Sequence, residues 1–271
     1  MITRVLLVLS VAGVVPAWAA PPPAPAPWSL SAHRLICEIA WREMTPLTRD
    51  RVREILPSDG SGERFRDACT WADRIRDEPG YAMYRTAHYV NLPPRSPTAD
   101  PSVHCADSYC ILEAIADLTR RVEDRALPGP RRSEALRFLA HFVADIHQPL
   151  HVAYEADRGG TRMSVRFRGR DTNLHAVWDI NLVQQTGLTL RDAQRLHEAM
   201  TPAEREGWAE LDPVVWANES FAIVERQVYR GVTRGTTIDD DYVAAAREVV
   251  VRRVVQAGYR LGLLLNRLLG S

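Results

Sequence analysis

The stretch His141-Phe-Val-Ala-Asp145-Ile-His147-Gln-Pro-Leu-His151 decides how this chain is read. Leu136, Phe138, Leu139, Phe142, Val143 and Ile146 surround His141 and Asp145 with apolar residues. Their spacing predicts a helix over Ser133–Ile146. On it His141 and Asp145 stand at i and i+4, so both side chains leave one face a turn apart. His147 comes two positions later, faces another way, and is expected to be structural. Pro149 lacks an amide and bends the chain, which returns His151 towards the cluster. Further on, His175-Ala-Val-Trp-Asp179 repeats the i, i+4 pair among Val177, Trp178 and Ile180. One buried His–Asp pair is an ordinary structural device. Two carboxylates in separate apolar helices are costly unless paired or coordinated. Imidazole and carboxylate are ligands that suit Zn²⁺. These five groups read as a metal site, and a multinuclear one.

Working outward, the pattern stays helical. Trp28–Met44 carries Leu35, Ile36, Ile39 and Ala40, and Asp50–Leu56 is a short helix stopped by Pro57. Gly62–Arg76 places Phe65, Ala68 and Ala72 on one face, and Tyr109–Val122 is amphipathic. Residues 202–231 suggest two helices and Asp241–Leu269 one long one. Arg247, Arg252, Arg253, Arg260 and Arg267 interrupt that last apolar run, which makes it a core helix rather than a membrane span. Met163–Phe167 alternates between Gly159-Gly160 and Gly169, the signature of a small hairpin. The expectation is an all-α single domain over residues 28–271 with one minor β-hairpin and no internal repeat.

Composition narrows the function. The chain has 271 residues, 46% hydrophobic and 25% charged, enough for one large domain. Net charge is zero, so no overall basic field holds nucleic acid, and polyanion binding needs a local positive centre such as bound metal. All 34 basic residues are Arg. Residues 1–20 resemble a secretory signal, with Arg4, the apolar run Val5–Val15, and Ala17-Trp18-Ala19 as a cleavage signature. The apolar run is shorter than the roughly 20 residues that span a bilayer. Residues 21–27 are a Pro/Ala-rich linker or pro-segment. A secreted or periplasmic location puts the four Cys in an oxidising compartment. Three pairings are open. Cys105 and Cys110 suit a short local loop, which leaves Cys37 with Cys69, and a Cys–Cys zinc site is the weaker alternative. Asn218-Glu-Ser220 is a glycosylation sequon.

Five motifs taken in order carry a family resemblance. They are Trp28-x4-His33, Trp71-Ala-Asp73-x2-Arg76, His88-Tyr-Val-Asn91, His141-x3-Asp145-x5-His151 and Asn173-Leu-His175-x2-Trp178-Asp179. From Trp28 to the C-terminal helix the chain resembles the secreted zinc-dependent single-strand nucleases and 3′-nucleotidases, the mung-bean type. That family shares its fold with bacterial zinc phospholipases C. The resemblance implies three Zn²⁺. Asp73, His88, His141 and Asp145 would hold a buried ion. The amine and carbonyl of Trp28, His33 and the other oxygen of Asp145 would hold its close partner. His151, His175 and Asp179 would hold an outer ion. By spacing alone His33, Asp73 and His88 carry no such message, and only the resemblance lifts them. His104 and His197 read as surface or capping residues.

The implied activity is hydrolysis of single-stranded RNA and DNA to 5′-phosphate products, with 3′-nucleotidase activity, by a monomer without membrane anchor. Two metals about 3.5–4 Å apart lower the pKa of a shared water, which suits attack on phosphorus. Asp73 and Arg76 take the catalytic role, Arg76 as a permanently charged support for the developing charge. Tyr89 offers a ring for a base to stack on, and Asn91 a substrate contact. Asn91 stands where fungal members carry an acid, so base preference does not transfer. Trp28 can ligate through its amine only if the chain starts there, so trimming of residues 20–27, in X-Pro steps, is expected after signal removal. Two alternatives remain, a zinc phospholipase C and a periplasmic zinc-binding protein. Asp179 argues against the first, because the phospholipases carry Glu there. A ligand set open to water and phosphate argues against the second.

Overall fold

The computed structural model describes residues 28–59 and 63–270. The signal segment 1–20, the Pro/Ala segment 21–27, Gly62 and Ser271 lie outside the described residues. Helix α1 (Leu30–Glu43) starts later than its apolar pattern predicts, because Ser29 caps it by accepting the Ala32 amide. Trp28 therefore precedes the helix. Helix α2 (Pro46–Ile55) starts earlier than predicted, because Thr45 accepts the Thr48 amide and Pro46 fits the first turn. The helix expected over Gly62–Arg76 is broken into α3 (Phe65–Ala68) and α4 (Trp71–Ile75). At the break the Thr70 hydroxyl donates to the Asp67 carbonyl and replaces a helical bond.

A two-residue strand, β1 (Val90–Asn91), leads to α5 (Pro101–His104), α6 (Ile111–Glu123) and α7 (Gly129–Asp145). Helix α7 is the centre of the molecule. Every residue from Ala135 to Gln148 and on to His151 is buried. Its 17 residues span about 25 Å. A tight turn over Pro149–His151 follows the proline bend, and β2 (Val152–Ala153) pairs in parallel with β1, Val90 facing Val152 and Asn91 facing Ala153.

The predicted hairpin is β3 (Ser164–Phe167) against β4 (Arg170–Asn173), turned by Arg168 and Gly169, both at positive φ. A third strand, β5 (Thr237–Ile238), adds in parallel to β3 and extends the sheet beyond the simple hairpin expected. Between these strands lie α8 (Leu174–Ala176), a π-helical turn over Val177–Asn181, α9 (Leu182–Thr186), α10 (Ala193–Glu198), α11 (Pro202–Gly207) and α12 (Pro213–Ile223). Helices α11 and α12 are the pair expected in residues 202–231.

Helix α13 (Asp240–Leu269) has 30 residues, about 45 Å, and lies along α1. The close crossing depends on Gly258 and Gly262, one turn apart. A Cβ at Gly258 would fall 2.6 Å from Ile39 Cβ, and one at Gly262 would fall 2.5 Å from Glu43 Cβ. Among the described residues no helix is long and apolar enough to cross a membrane. Disulfides join Cys37 to Cys69 and Cys105 to Cys110, which removes the Cys–Cys zinc reading. The sequon is closed by packing. Ser220 is buried, and the Asn218 amide is spent on the Ala99 amide and the Thr98 hydroxyl.

Candidate metal centre

Eight imidazole and carboxylate groups converge from seven places in the chain. His33 comes from the first turn of α1, Asp73 from α4, His88 from just before β1, and His141 and Asp145 from the end of α7. His151 comes from the Pro149 turn, His175 from α8, and Asp179 from the π-helical turn. All eight side chains are essentially buried. They form three groups whose ligand atoms lie within 4.8 Å of one another: His33 with His141 and Asp145, Asp73 with His88 and His141, and His151 with His175 and Asp179.

Asp145 stands at the centre, and its two oxygens face different partners. Oδ2 lies 2.9 Å from His141 Nε2 and 2.9 Å from His88 Nδ1. Oδ1 lies 3.2 Å from His33 Nε2 and 3.3 Å from His151 Nδ1. Asp73 Oδ1 is 3.6 Å from His141 Nε2 and 3.9 Å from His88 Nδ1. In the outer group Asp179 approaches His175 Nε2 at 2.8 Å and His151 Nε2 at 3.5 Å. Ligands bonded at about 2.0–2.2 Å to one tetrahedral ion stand about 3.3–3.6 Å from each other, and these separations scatter around that span.

The hydrogen bonds around the rings test the fit to a metal. His33 Nδ1 donates to the Trp28 carbonyl at 2.6 Å, His141 Nδ1 to the Cys69 carbonyl at 2.6 Å, and His175 Nδ1 to the Gly159 carbonyl at 2.7 Å. A carbonyl can only accept, so in the neutral ring each Nε2 carries a lone pair. Those lone pairs face carboxylate oxygens. His33 Nε2, both oxygens of Asp73, Asp145 Oδ1, His151 Nδ1 and Asp179 Oδ2 are buried without a hydrogen bond. Facing acceptors of this kind need a cation between them, and the residues fit divalent metal.

The electrostatics agree. Burial disfavours charge on His141, yet Asp145 and Asp73 overcome it and raise the imidazole to about 9, the same pull a metal would answer. His151 is raised in the same way by Asp145 and Asp179 against its burial. Burial dominates at His88 and lowers it to about 4. Despite burial, His175 and His151 hold Asp179 at about 2, and His141 and His151 keep Asp145 well below the ordinary carboxylate range.

Local structure explains the placement. The break between α3 and α4 releases the Cys69 carbonyl from helical bonding for His141. Arg158, Gly159 and Gly160 all adopt positive φ, and a Cβ at Gly159 would sit 2.6 Å from the Leu150 carbonyl, so glycine is needed where the chain presents its carbonyl to His175. In the π-helical turn the Leu182 amide reaches back to the Val177 carbonyl, the wide coil that often marks functional sites. Trp28 is buried, and the Ser29 amide donates to the Asp179 carbonyl at 2.9 Å, which seats the start of the described chain against the outer group. Spacing arguments missed Cys69 and Gly159 as supports, although Gly159-Gly160 was a visible signal.

The other expected residues fall as follows. Arg76 is half-buried at the end of α4, three residues after Asp73. Tyr89 is half-buried, and its carbonyl accepts the Ile111 amide beside the Cys105–Cys110 loop. Asn91 lies on β1, whose pairing with β2 brings it near the chain that leaves His151. His147 turns away from the cluster and bonds the Val143 carbonyl and Arg260. His104 caps its own turn at Asp100, and His197 pairs with Glu43.

A helical scaffold closed around such an imidazole–carboxylate cluster fits a metal-dependent hydrolase. The family model described as S1/P1 Nuclease matches residues 28–270, and the chain belongs to the S1/P1 nuclease family. It is 30% identical over 267 residues to Endonuclease 2 of Arabidopsis thaliana, covering 90% of this chain and 91% of that protein. Nuclease P1 of Penicillium citrinum is 29% identical over 269 residues, covering 90% and 98%. Nuclease S1 of Aspergillus oryzae is 26% identical over 261 residues, covering 86% and 89%. The chain is thus a nuclease, a hydrolase of phosphodiester bonds. Neither the phospholipase nor the storage reading is favoured.

Proposed function

We propose that this nuclease cleaves single-stranded RNA and DNA to 5′-phosphate products, acts as a 3′-nucleotidase, and works with three Zn²⁺. The observation that carries the reading is Asp145, whose two oxygens face separate histidine sets among buried atoms that lack hydrogen bonds. Asp73, His88, His141 and Asp145 would hold one ion. His33, Asp145 and the amine and carbonyl of Trp28 would hold the second, and His151, His175 and Asp179 the outer one. Bound there, the ions supply Lewis-acid activation of water and neutralise charge at the phosphate.

The chain's own residues do the rest. Asp73 has two buried oxygens without hydrogen bonds, and one of them accepts a proton from the attacking water. Arg76 donates to the phosphate as its charge grows, a role suited to a planar guanidinium with a fork of donors. Tyr89 stacks a base and Asn91 contacts its edge. A base held in this way must first leave its duplex, which selects single strands. Removal of residues 1–27, by signal cleavage and trimming, frees the Trp28 amine for the cluster. The seat of Ser29 on Asp179 supports this. The product is a secreted or periplasmic monomer.

The test sets purified protein against single-stranded DNA, duplex DNA, 3′-AMP and phosphatidylcholine, with and without chelator. The expected result is hydrolysis of the first and third, lost with chelator. Hydrolysis of lipid alone, or full activity in chelator, overturns the reading. N-terminal sequencing tests the processing. A mature start at Ala20 with full zinc content rules out ligation through Trp28.

A further inference from the structure

We infer that Gln148 is a positioning residue, which aims the Asp179 carboxylate of the outer group and ties it to the helix end that carries Asp145. The inference rests on reading His151, His175 and Asp179 as ligands of one ion. Gln148 is 1% exposed, and its four polar groups are all engaged. Its backbone amide donates to the Asp145 carbonyl at 2.9 Å, and its own carbonyl accepts the His151 amide at 3.0 Å. Its side-chain Oε1 accepts the Leu150 amide at 2.6 Å, and Nε2 donates to Asp179 Oδ1 at 2.5 Å. The orientation of the amide is fixed by chemistry. The Leu150 amide can only donate, so the atom facing it is oxygen and the atom facing Asp179 is nitrogen.

One residue thus touches both halves of the cluster. Its backbone belongs to the turn between Asp145 and His151, and its side chain reaches 31 positions along the chain to Asp179. The backbone there is pinned as well. Gln148 precedes Pro149 and sits at φ −78°, ψ 116°, the extended region that a following proline enforces. The launch point of the side chain is therefore fixed before it meets Asp179.

The type of side chain matters as much as its place. A neutral amide fixes one lone pair of Asp179 and leaves the full negative charge for an ion. A guanidinium or ammonium at this place would neutralise part of that charge. A carboxylate would face Asp179 with a second negative group, and an alkyl chain would strand both Oδ1 and the Leu150 amide. Removing an orienting hydrogen bond from a metal ligand characteristically weakens the metal 10- to 100-fold, about that range being expected here.

The test compares wild-type protein with Gln148→Met and Gln148→Glu. Each is dialysed against a graded series of zinc buffers, followed by metal analysis per chain and by melting temperature. Gln148→Glu keeps the shape and the acceptor for the Leu150 amide, so it separates the turn from the donor to Asp179. The expected result in both variants is selective weakening of one ion by about 10- to 100-fold, with the other two held as in wild type. A merely structural role would lower all three ions together with the melting temperature. Wild-type or tighter affinity for the third ion in either variant, or parallel loss of all three in Gln148→Glu, overturns the inference. Wild-type protein that binds fewer than three ions, or His175→Ala that loses none, instead overturns the reading of the outer group on which it rests.

Discussion

Two largely buried polar clusters flank the end of α7, and they follow opposite rules. On one side lie the eight imidazoles and carboxylates around Asp145. On the other, Glu219 Oε2 accepts from Arg253 at 2.9 Å, from Gln256 at 3.0 Å and from Arg260 at 2.6 Å, and its Oε1 takes a second bond from Arg260 at 2.8 Å. Arg253 also donates to the His147 carbonyl and to Ser220, which donates to the Ile146 carbonyl. His147 is held neutral, its pKa driven down by burial and by the charges of Arg253 and Arg260, so its ring can face Arg260 as an acceptor. This second cluster is closed, because protein groups answer protein groups. Around Asp145 imidazole nitrogens and carboxylate oxygens crowd together, and six buried atoms have no hydrogen bond. Unmet bonding capacity separates a site from a support, where burial and polarity alone do not.

The comparison can be broken by experiment. Asp145→Asn strikes the open cluster at the carboxylate proposed as its shared ligand. We expect loss of the inner ions and a fall in hydrolysis of about a thousandfold or more, measured by metal analysis and turnover on 3′-AMP. Glu219→Leu strikes the closed cluster and leaves Arg253 and Arg260 buried without a carboxylate. It should lower unfolding free energy by about 3–5 kcal/mol in denaturant titration, while folded protein keeps its metal count. If Glu219→Leu instead empties the metal site and leaves stability intact, the division into site and support is wrong. Gly258→Ala tests the α1–α13 crossing that presents His33. A cost of about 1–3 kcal/mol is expected, read as a lower melting temperature, with only a small change in zinc affinity.

The smallest effect sharpens the electrostatic side. In chelated protein His141, raised to about 9, contributes stability fully below its ordinary 6.5, and that contribution is lost as pH rises through about 9. His88, lowered to about 4, contributes in the opposite sense. The unfolded chain binds its proton first, so stability falls as pH drops from 6.5 towards about 4. Melting temperatures of chelated protein should therefore peak near pH 6.5. Added Zn²⁺ should remove the alkaline decline on the proposed reading, in which an ion takes the place of the proton on His141. A flat profile without metal would show that these two rings do not govern the cluster.

Much of the site was legible, and the reason is local geometry. The pairs His141–Asp145 and His175–Asp179 are i, i+4 neighbours, and they meet at 2.9 and 2.8 Å as helical spacing requires. The bend at Pro149 and the outward turn of His147 follow from the same local rules. His33, Asp73 and His88 were not legible from spacing, because each joins the cluster only through tertiary packing. Family motifs, not periodicity, pointed to them. The break at Cys69–Thr70 was hidden because the apolar period of Phe65, Ala68 and Ala72 runs across it. Strand β5 is two residues long and carries no pattern of its own. Gly258 and Gly262 gain their meaning only from α1 lying against them.

Cys69 makes assembly of the site a matter of sequence in time. Its sulfur is joined to Cys37 on α1, four residues after His33, and its carbonyl holds the His141 ring four residues before Asp73. The covalent link narrows the unfolded chain's freedom before any ion arrives. With the link made, α1 and the α3–α4 break are already neighbours, and an incoming ion meets a cage rather than scattered ligands. Thiol reductant and chelator should then cooperate, each opening the molecule further once the other has acted.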